Sequence, residues 1–281
     1  MKDFLSLKQL NRKEIRQVLD VAAEMRRMLS AKHKKAPHLA GRTMVHLCEE
    51  QTVFNTAASL AYGYLGGTSY DMPSPDDFIE RARFLDAAGV SLICFQQDNF
   101  SLIERAASQV ACQTLNGGSK FTNPLLALSV LAGIEHYCDR LGNLNVLLAG
   151  NREQSFVAEL SYALNLFESA LCAFTPLDAT PFTQKEFVAA YKDINTAFEG
   201  IDAIIDLGLE KYSSAETYYG SKAGIKKSLM DKARVDAPLF FARSVADEKG
   251  QTVPYAFSAA DRQYQDYLAV LMSVIYIFFK N

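Results

Sequence analysis

The sequence predicts an α/β protein made of two doubly wound, parallel-sheet lobes joined by interdomain helices. Three observations carry this. Short apolar runs that read as buried strands alternate with helical stretches along the chain, which favours parallel sheets covered on both faces. The 281 residues exceed a single average core and suit two lobes. A composition of 49% apolar and 22% charged residues is that of a globular chain with enough apolar material for both.

The elements follow in order. Asn11 with Glu14 three residues later reads as an N-cap and capping box, and Ile15, Val18, Leu19, Ala22 and Met25 then repeat at helical spacing. Thr43 to Cys48 is an apolar run that reads as a buried strand, and Thr56 to Tyr64 reads as a helix ended by Gly66-Gly67. Helix at Asp76 to Ala87, strand at Val90 to Phe95 and helix at Ser101 to Val110 make a second unit. Asn116-Gly117-Gly118 marks a turn, after which Pro124 suits a first helical turn and Leu125 to Tyr137 form an apolar helix bridging the lobes. The second lobe has strands at Asn145 to Gly150, Leu171 to Phe174, Ile201 to Leu207 and Pro238 to Phe241. Helices are expected at Phe156 to Leu166, Gln184 to Tyr191 and Gly224 to Ala233. The boundaries drawn are 1–137 for the first lobe, 138–258 for the second, and 259–281 for a C-terminal helix packing back on the first. Ligands of such folds bind beyond the carboxyl ends of strands, here the loops after Leu47, Phe95, Leu115, Gly150, Leu207 and Phe241.

Several classes are excluded by composition. A net charge of −3 and a pI near 5.9 give no basic field for nucleic acid, and Lys32 to Lys35 and Lys226-Lys227 read as solvated faces. The most apolar stretch, Tyr267 to Phe279, is too short to span a membrane, and no signal region opens the chain, so a cytoplasmic protein is expected. Five cysteines without C-x-x-C spacing read as buried thiols. The four histidines form no metal-ligand group, and no metal or cofactor is expected.

Phe4-Leu5-Ser6-Leu7, Tyr64-Leu65-Gly66-Gly67, Ala82-Arg83-Phe84-Leu85, Asn116-Gly117, Ile134-Glu135-His136 and Leu229-Met230 with Asp236-Ala237 carry a further signal in their order and separations. In these the chain resembles the aspartate/ornithine carbamoyltransferases over nearly its whole length. The resemblance implies a carbamoyl-phosphate-binding-like first lobe, an amino-acid-binding-like second lobe, and trimers with sites between subunits. It also implies cationic and hydrogen-bonding groups around a dianionic phosphate and a carbonyl that becomes an oxyanion.

Many of those groups are replaced. Where the family has S-T-R-T-R this chain has Gln51-Thr52-Val53-Phe54-Asn55, so only the threonine matches and the bidentate clamps are gone. A further family arginine falls on Gln96, followed by Gln97. The H-P-x-Q motif reads Asn123-Pro124-Leu125-Leu126, which keeps one donor. The loop that family members lend to a neighbour is the acidic, proline-rich Asp71 to Asp77. In the second lobe the family's histidine motif becomes Phe241-Ala242-Arg243-Ser244, Arg262 aligns with an arginine turned toward the donor, and Lys211, Tyr212 and Glu216 lie in the substrate loop. Gln51, Thr52, Asn55, Gln96, Asn123, Arg243 and Arg262 are therefore the candidate cleft residues. Three have a plain alternative: Thr52 and Asn123 as helix caps, and Arg262 in a surface pair with Asp261 or Asp266.

Losing one charged partner of a buried anion costs roughly 2–5 kcal/mol, and several are lost together. The expectation is a degenerate homologue that does not catalyse ordinary carbamoyl transfer and acts in binding, assembly or regulation, as a homo-oligomer or with an active paralogue. The alternative is a transferase acting on an amino acid or amine with carbamoyl phosphate or a less charged donor, its polar cleft taking a small molecule.

Overall fold

A computed structural model of the chain describes residues 2–31, 36–48, 52–73, 77–150, 154–175, 189–208 and 224–280. The chain divides into two compact units, residues 1–129 with 265–281, and residues 130–264.

The first unit holds strands β1 (Asp3–Phe4), β2 (Thr43–Cys48), β3 (Thr68–Pro73), β4 (Leu92–Gln96) and β5 (Gln113–Asn116), and helices α1 (Arg12–Ser30), α2 (Val53–Tyr64), α3 (Phe78–Ala87) and α4 (Phe100–Ala107). Helix α5 (Pro124–Cys138) begins in this unit and continues into the second. All five strands run parallel in the order β1-β5-β4-β2-β3. From β2 the chain pairs first outward to β3 and then crosses back to β4 on the other side, so the connection reverses between β2 and β4. A crevice opens beyond the carboxyl ends of the strands at such a point.

The central strands are buried on both faces, which is why Met44 to Cys48 and Leu92 to Phe95 read as continuous apolar runs. Leu47, Ile93 and Phe95 pack with Phe78, Leu85, Ile103 and Ala106 from α3 and α4 into one core. Strand β3 is an exposed edge, with Asp71 and Pro73 facing solvent. Edges of this kind lack the apolar signature of a strand, which is why Asp71 to Pro73 read as loop in the sequence yet pair with β2.

The second unit holds β6 (Asn145–Ala149), α6 (Val157–Leu166), β7 (Ala170–Phe174), β8 (Ala189–Tyr191), α7 (Ile194–Ala197), β9 (Ala203–Asp206), α8 (Lys227–Met230), β10 (Leu239–Phe240) and the antiparallel hairpin β11 (Ser244–Ala246) and β12 (Thr252–Pro254). Its main sheet is parallel in the order β10-β9-β6-β7-β8, again reversing direction beside its first strand. There Gly150, at φ +134°, lies so close to the chain after β9 that an added Cβ would sit 2.8 Å from Leu207 Cβ. The helix expected over 184–191 is corrected: 184–188 lie outside the described residues, and 189–191 pair with Cys172 to Phe174 as a strand. Sheet pairing has overridden the helical propensity of Ala189-Ala190.

Helix α9 (Ala260–Phe278) starts in the second unit and ends in the first. In the first unit its Asp266 carboxylate, 1% exposed, lies 2.8 Å from the Arg26 guanidinium of α1. Ser273 Oγ donates to Val18 O at 2.7 Å, so two polar links tie α9 to α1. No helix among the described residues is long and apolar enough to cross a membrane.

Candidate functional site

The crevice of the first unit is a recess of about 480 Å³ beyond the ends of β2, β4 and β5, within the range of small-molecule sites. Its lining comprises Thr52, Phe54, Gln96, Gln97, Asp98, Gly117, Gly118, Ser119, Asn123 and Tyr267. Three candidates named from sequence, Thr52, Gln96 and Asn123, thus share one wall system despite lying up to 71 residues apart.

Thr52 precedes α2, and its backbone N–H and hydroxyl both donate to Asn55 Oδ1, at 2.8 and 3.0 Å. With its proton committed there, the Thr52 oxygen accepts from Gln96 Nε2 at 3.2 Å. Gln96 Oε1 also lies 3.4 Å from the Thr52 hydroxyl, so both ends of the Gln96 amide meet Thr52 on the wall of the recess. Asn55 itself is 2% exposed and absorbed by the cap, its Nδ2 donating to Cys48 Sγ at 3.1 Å. It serves the helix start instead of this recess. Gln51 lies outside the described residues.

Asn123 caps α5, with Oδ1 accepting from Leu126 N–H at 3.0 Å. That bond fixes the amide so that Nδ2 is turned toward Gly118, where an added Cβ would lie 3.2 Å away. The cap reading and the ligand reading of Asn123 are therefore compatible: oxygen to the helix, N–H to the recess. The loop between β5 and α5 is stitched from beneath by buried Asn116, which donates to Leu5 O at 2.9 Å and accepts from Gly118 N–H at 2.9 Å. Ser119 and Thr122 close it further.

Two rings form the remaining wall. Phe54 meets Tyr267 edge-on at 6.5 Å between centroids, and its ring occupies the place a side chain at position 117 would need, 2.2 Å from an added Cβ. Gly117 is thus required by the approach of Phe54. Burial pushes the Tyr267 phenol well above its usual pKa, so it remains a proton donor in neutral solution. Tyr267 and Asp98 were not singled out from sequence. Asp98 follows the two glutamines in a loop already marked as important, whereas Tyr267 arrives from the last helix and has no local signal.

Behind Phe54, at 6.0 Å, sits His46, 1% exposed with Nε2 3.3 Å from Ser59 Oγ. Burial lowers its pKa to about 4, partly offset by Asp71. A histidine whose folded pKa lies below its unfolded value stabilises the fold above pH 6.5 and loses that contribution as pH falls toward 4. The difference amounts to about 3 kcal/mol. We expect the unfolding free energy of the wild type, read from urea titrations, to fall across this window by about that amount more than in His46→Leu. Parallel pH profiles of the two proteins would remove His46 from the account.

The charged candidates behave differently. Arg243 pairs with Asp261, Nη2 at 2.6 Å and Nε at 2.9 Å, with both side chains largely exposed, so the pair itself contributes little stability. Asp266 pairs with Arg26. Arg262 is half-buried in the first turn of α9. In the second unit Phe241 sits just beyond β10 at φ +66°, stacked 5.6 Å from Phe156. A non-glycine residue held there carries backbone strain at the strand end. Lys211, Tyr212 and Glu216 lie outside the described residues.

No lysine or arginine lines the recess among the described residues. None occurs anywhere in the sequence from Thr43 through Glu80. Lys120, the next cation along the loop, lies over the Phe121 ring at 5.7 Å. Among the described residues no group of three or more histidine, cysteine, aspartate or glutamate side chains is placed to hold a metal.

Comparisons with known proteins agree with this architecture. A family model described as the carbamoyl-P binding domain of aspartate/ornithine carbamoyltransferase matches residues 2–135. The aspartate carbamoyltransferase catalytic subunit of Natranaerobius thermophilus is 24% identical, covering 98% of this chain and 95% of its own length. That of Caldicellulosiruptor bescii is 23% identical, covering 99% and 97%. Among solved structures, ornithine carbamoyltransferase from Pyrococcus furiosus superposes with a TM-score of 0.82 at 18% identity, covering 100% of this chain and 97% of that one. The catalytic subunit of M. jannaschii aspartate transcarbamoylase gives 0.80 at 17%, covering 100% and 98%.

The expectation of a degenerate, non-catalytic homologue is corrected by these findings. Relatives matching from end to end carry the name of catalytic subunits. The recess is also open beside the apolar replacements, Val53 being 70% exposed and Phe54 lining one wall. In its fold, its matched domain and its full-length relatives, the chain belongs to the aspartate/ornithine carbamoyltransferase family.

Proposed function

We propose that the chain is a carbamoyltransferase that moves a carbamoyl group from a donor held in the first-unit recess to the amino group of an amino acid. The observation that supports this most is the pairing of one fixed donor with one acceptor. The Asn123 amide is oriented by the cap bond to its Oδ1, and the Gln96 amide is held against the Thr52 hydroxyl, with both amides on the lining of the recess. A carbamoyl group needs just that pair, a donor for its C=O and an acceptor for its NH2.

Attack by an amine on the carbamoyl carbon puts negative charge on the carbonyl oxygen. The N–H of Asn123 would hydrogen-bond that oxygen, and the positive end of α2, a twelve-residue helix starting at the recess, adds a preorganised partial charge. Phe54 and Tyr267 exclude water from the side, which strengthens both interactions. Assembly as a homo-oligomer is part of this proposal, since the relatives are named as subunits.

The test is formation of acid-stable ureido product from carbamoyl-labelled donors and a mixture of the common amino acids. Label appearing in at least one ureide is expected. Absence of labelled ureide from every donor, at protein concentrations comparable with substrate, contradicts the proposal.

A further inference from the structure

The recess fits the carbamoyl end of a donor far better than it fits a phosphate. Besides the missing cations, its lining includes the Asp98 carboxylate, which raises the cost of placing a dianion there. A second copy of the chain would bring no remedy through the segment that precedes α3, because Thr43 to Glu80 contains neither lysine nor arginine. The remaining wall is aromatic, Phe54 and Tyr267 meeting edge-on at 6.5 Å between centroids. A lining that combines aromatic rings with a carboxylate suits a departing ammonium ion.

Resting on the reading that this recess holds the carbamoyl donor, we propose that the donor is a ureide, an N-carbamoyl amine, and that the group released is an amine rather than phosphate. The acceptor nitrogen forms a bond to the carbamoyl carbon while the donor's own nitrogen–carbon bond breaks. The proton shed by the attacking nitrogen ends on the departing one, with the Asp98 carboxylate on the recess as its carrier. A ureide and an amine give a new ureide and a new amine, so atoms, charge and electrons balance with no further reactant. The bond broken is of the same type as the bond made, and the exchange requires no activated phosphate.

Loss of the arginines then has a chemical reason: a site releasing an amine gains nothing from a phosphate clamp. Gln96 at the end of β4 would read the carbamoyl NH2 where a cation would repel an ammonium leaving group.

The experiment compares two labelled donors at equal concentration with the same unlabelled amino acids: carbamoyl phosphate, and a set of carbamoyl-labelled ureides of the common amino acids prepared with cyanate. The expected result is transfer from at least one ureide about tenfold or more faster than from carbamoyl phosphate. Asp98→Asn should slow ureide transfer about tenfold and narrow the gap between the donors, while thermal stability stays unchanged. Faster transfer from carbamoyl phosphate, with no response to Asp98→Asn, overturns the ureide assignment and leaves carbamoyl transfer standing. No transfer from either donor overturns both.

Discussion

Asn123→Asp should lower ureide formation by about a hundredfold while leaving the fold as stable as the wild type. The substitution keeps an oxygen for the Leu126 N–H at the start of α5, so the cap survives, and a carboxylate at a helix N-terminus is if anything favourable. What disappears is the N–H held toward the recess, and removing one preorganised donor to a developing oxyanion typically costs two to three orders of magnitude in rate. Asn123→Ala separates the roles from the other side: it loses the same donor and also about 1 kcal/mol of cap stability. Full activity in the aspartate variant, measured with saturating donor, would show that Asn123 serves the helix alone.

Arg26→Ala should destabilise the first unit by about 3 kcal/mol, the largest single-residue effect expected outside the apolar core. The guanidinium stands 2.8 Å from an Asp266 carboxylate that is 1% exposed, and taking it away removes a close opposite charge from that carboxylate in a low-dielectric setting. The consequence reaches function because Asp266 immediately precedes Tyr267 on α9, and Tyr267 is the wall against which Phe54 packs. Arg26→Lys should recover part of the stability, an ammonium supplying charge without the planar fork. Urea unfolding of the three proteins reads the difference. An Arg26→Ala midpoint equal to the wild type would mean that the pair contributes nothing and that α9 is held by packing and the Ser273 hydrogen bond to Val18 O.

Much of the fold was legible because the parallel sheets leave a plain record. Thr43 to Cys48, Asn145 to Ala149 and Leu171 to Phe174 are short apolar runs between turn residues, and all three are central strands. The cap at Asn11 was equally clear, since Glu14 reaches back to its backbone N–H at 2.8 Å. Strand β3 escaped because an exposed edge has no apolar face to show, and β8 because three residues of Ala-Ala-Tyr are ordered by their neighbour β7 and not by their own preference.

The site divides in the same way. Thr52, Gln96 and Asn123 could be named because they stand at the motif positions of the family the sequence resembles, and these positions fall at strand ends or helix starts that converge in a doubly wound sheet. Asn55 was named for the same reason, yet its side chain turns inward to finish the cap on α2. Tyr267 could not be found locally: it lies 213 residues from Phe54, and only the return of α9 brings the two rings together. The charge pattern misled in a more instructive way. Counting lost arginines treats phosphate binding as the whole of the chemistry, whereas in the proposed function the amides of Gln96 and Asn123 act on the group being transferred.

Calorimetric titration of the wild type with carbamoyl phosphate, inorganic phosphate and a ureide found to donate in the label assay tests the central claim most directly. The account predicts heat and saturation with the ureide, in the micromolar to millimolar range. It predicts no displacement of the ureide by millimolar phosphate, and loss of the ureide signal in Asn123→Asp. Tight binding of inorganic phosphate that displaces the ureide would contradict it, because a recess lined by Thr52, Gln96, Asp98 and Asn123 would then be holding the dianion that its charges disfavour.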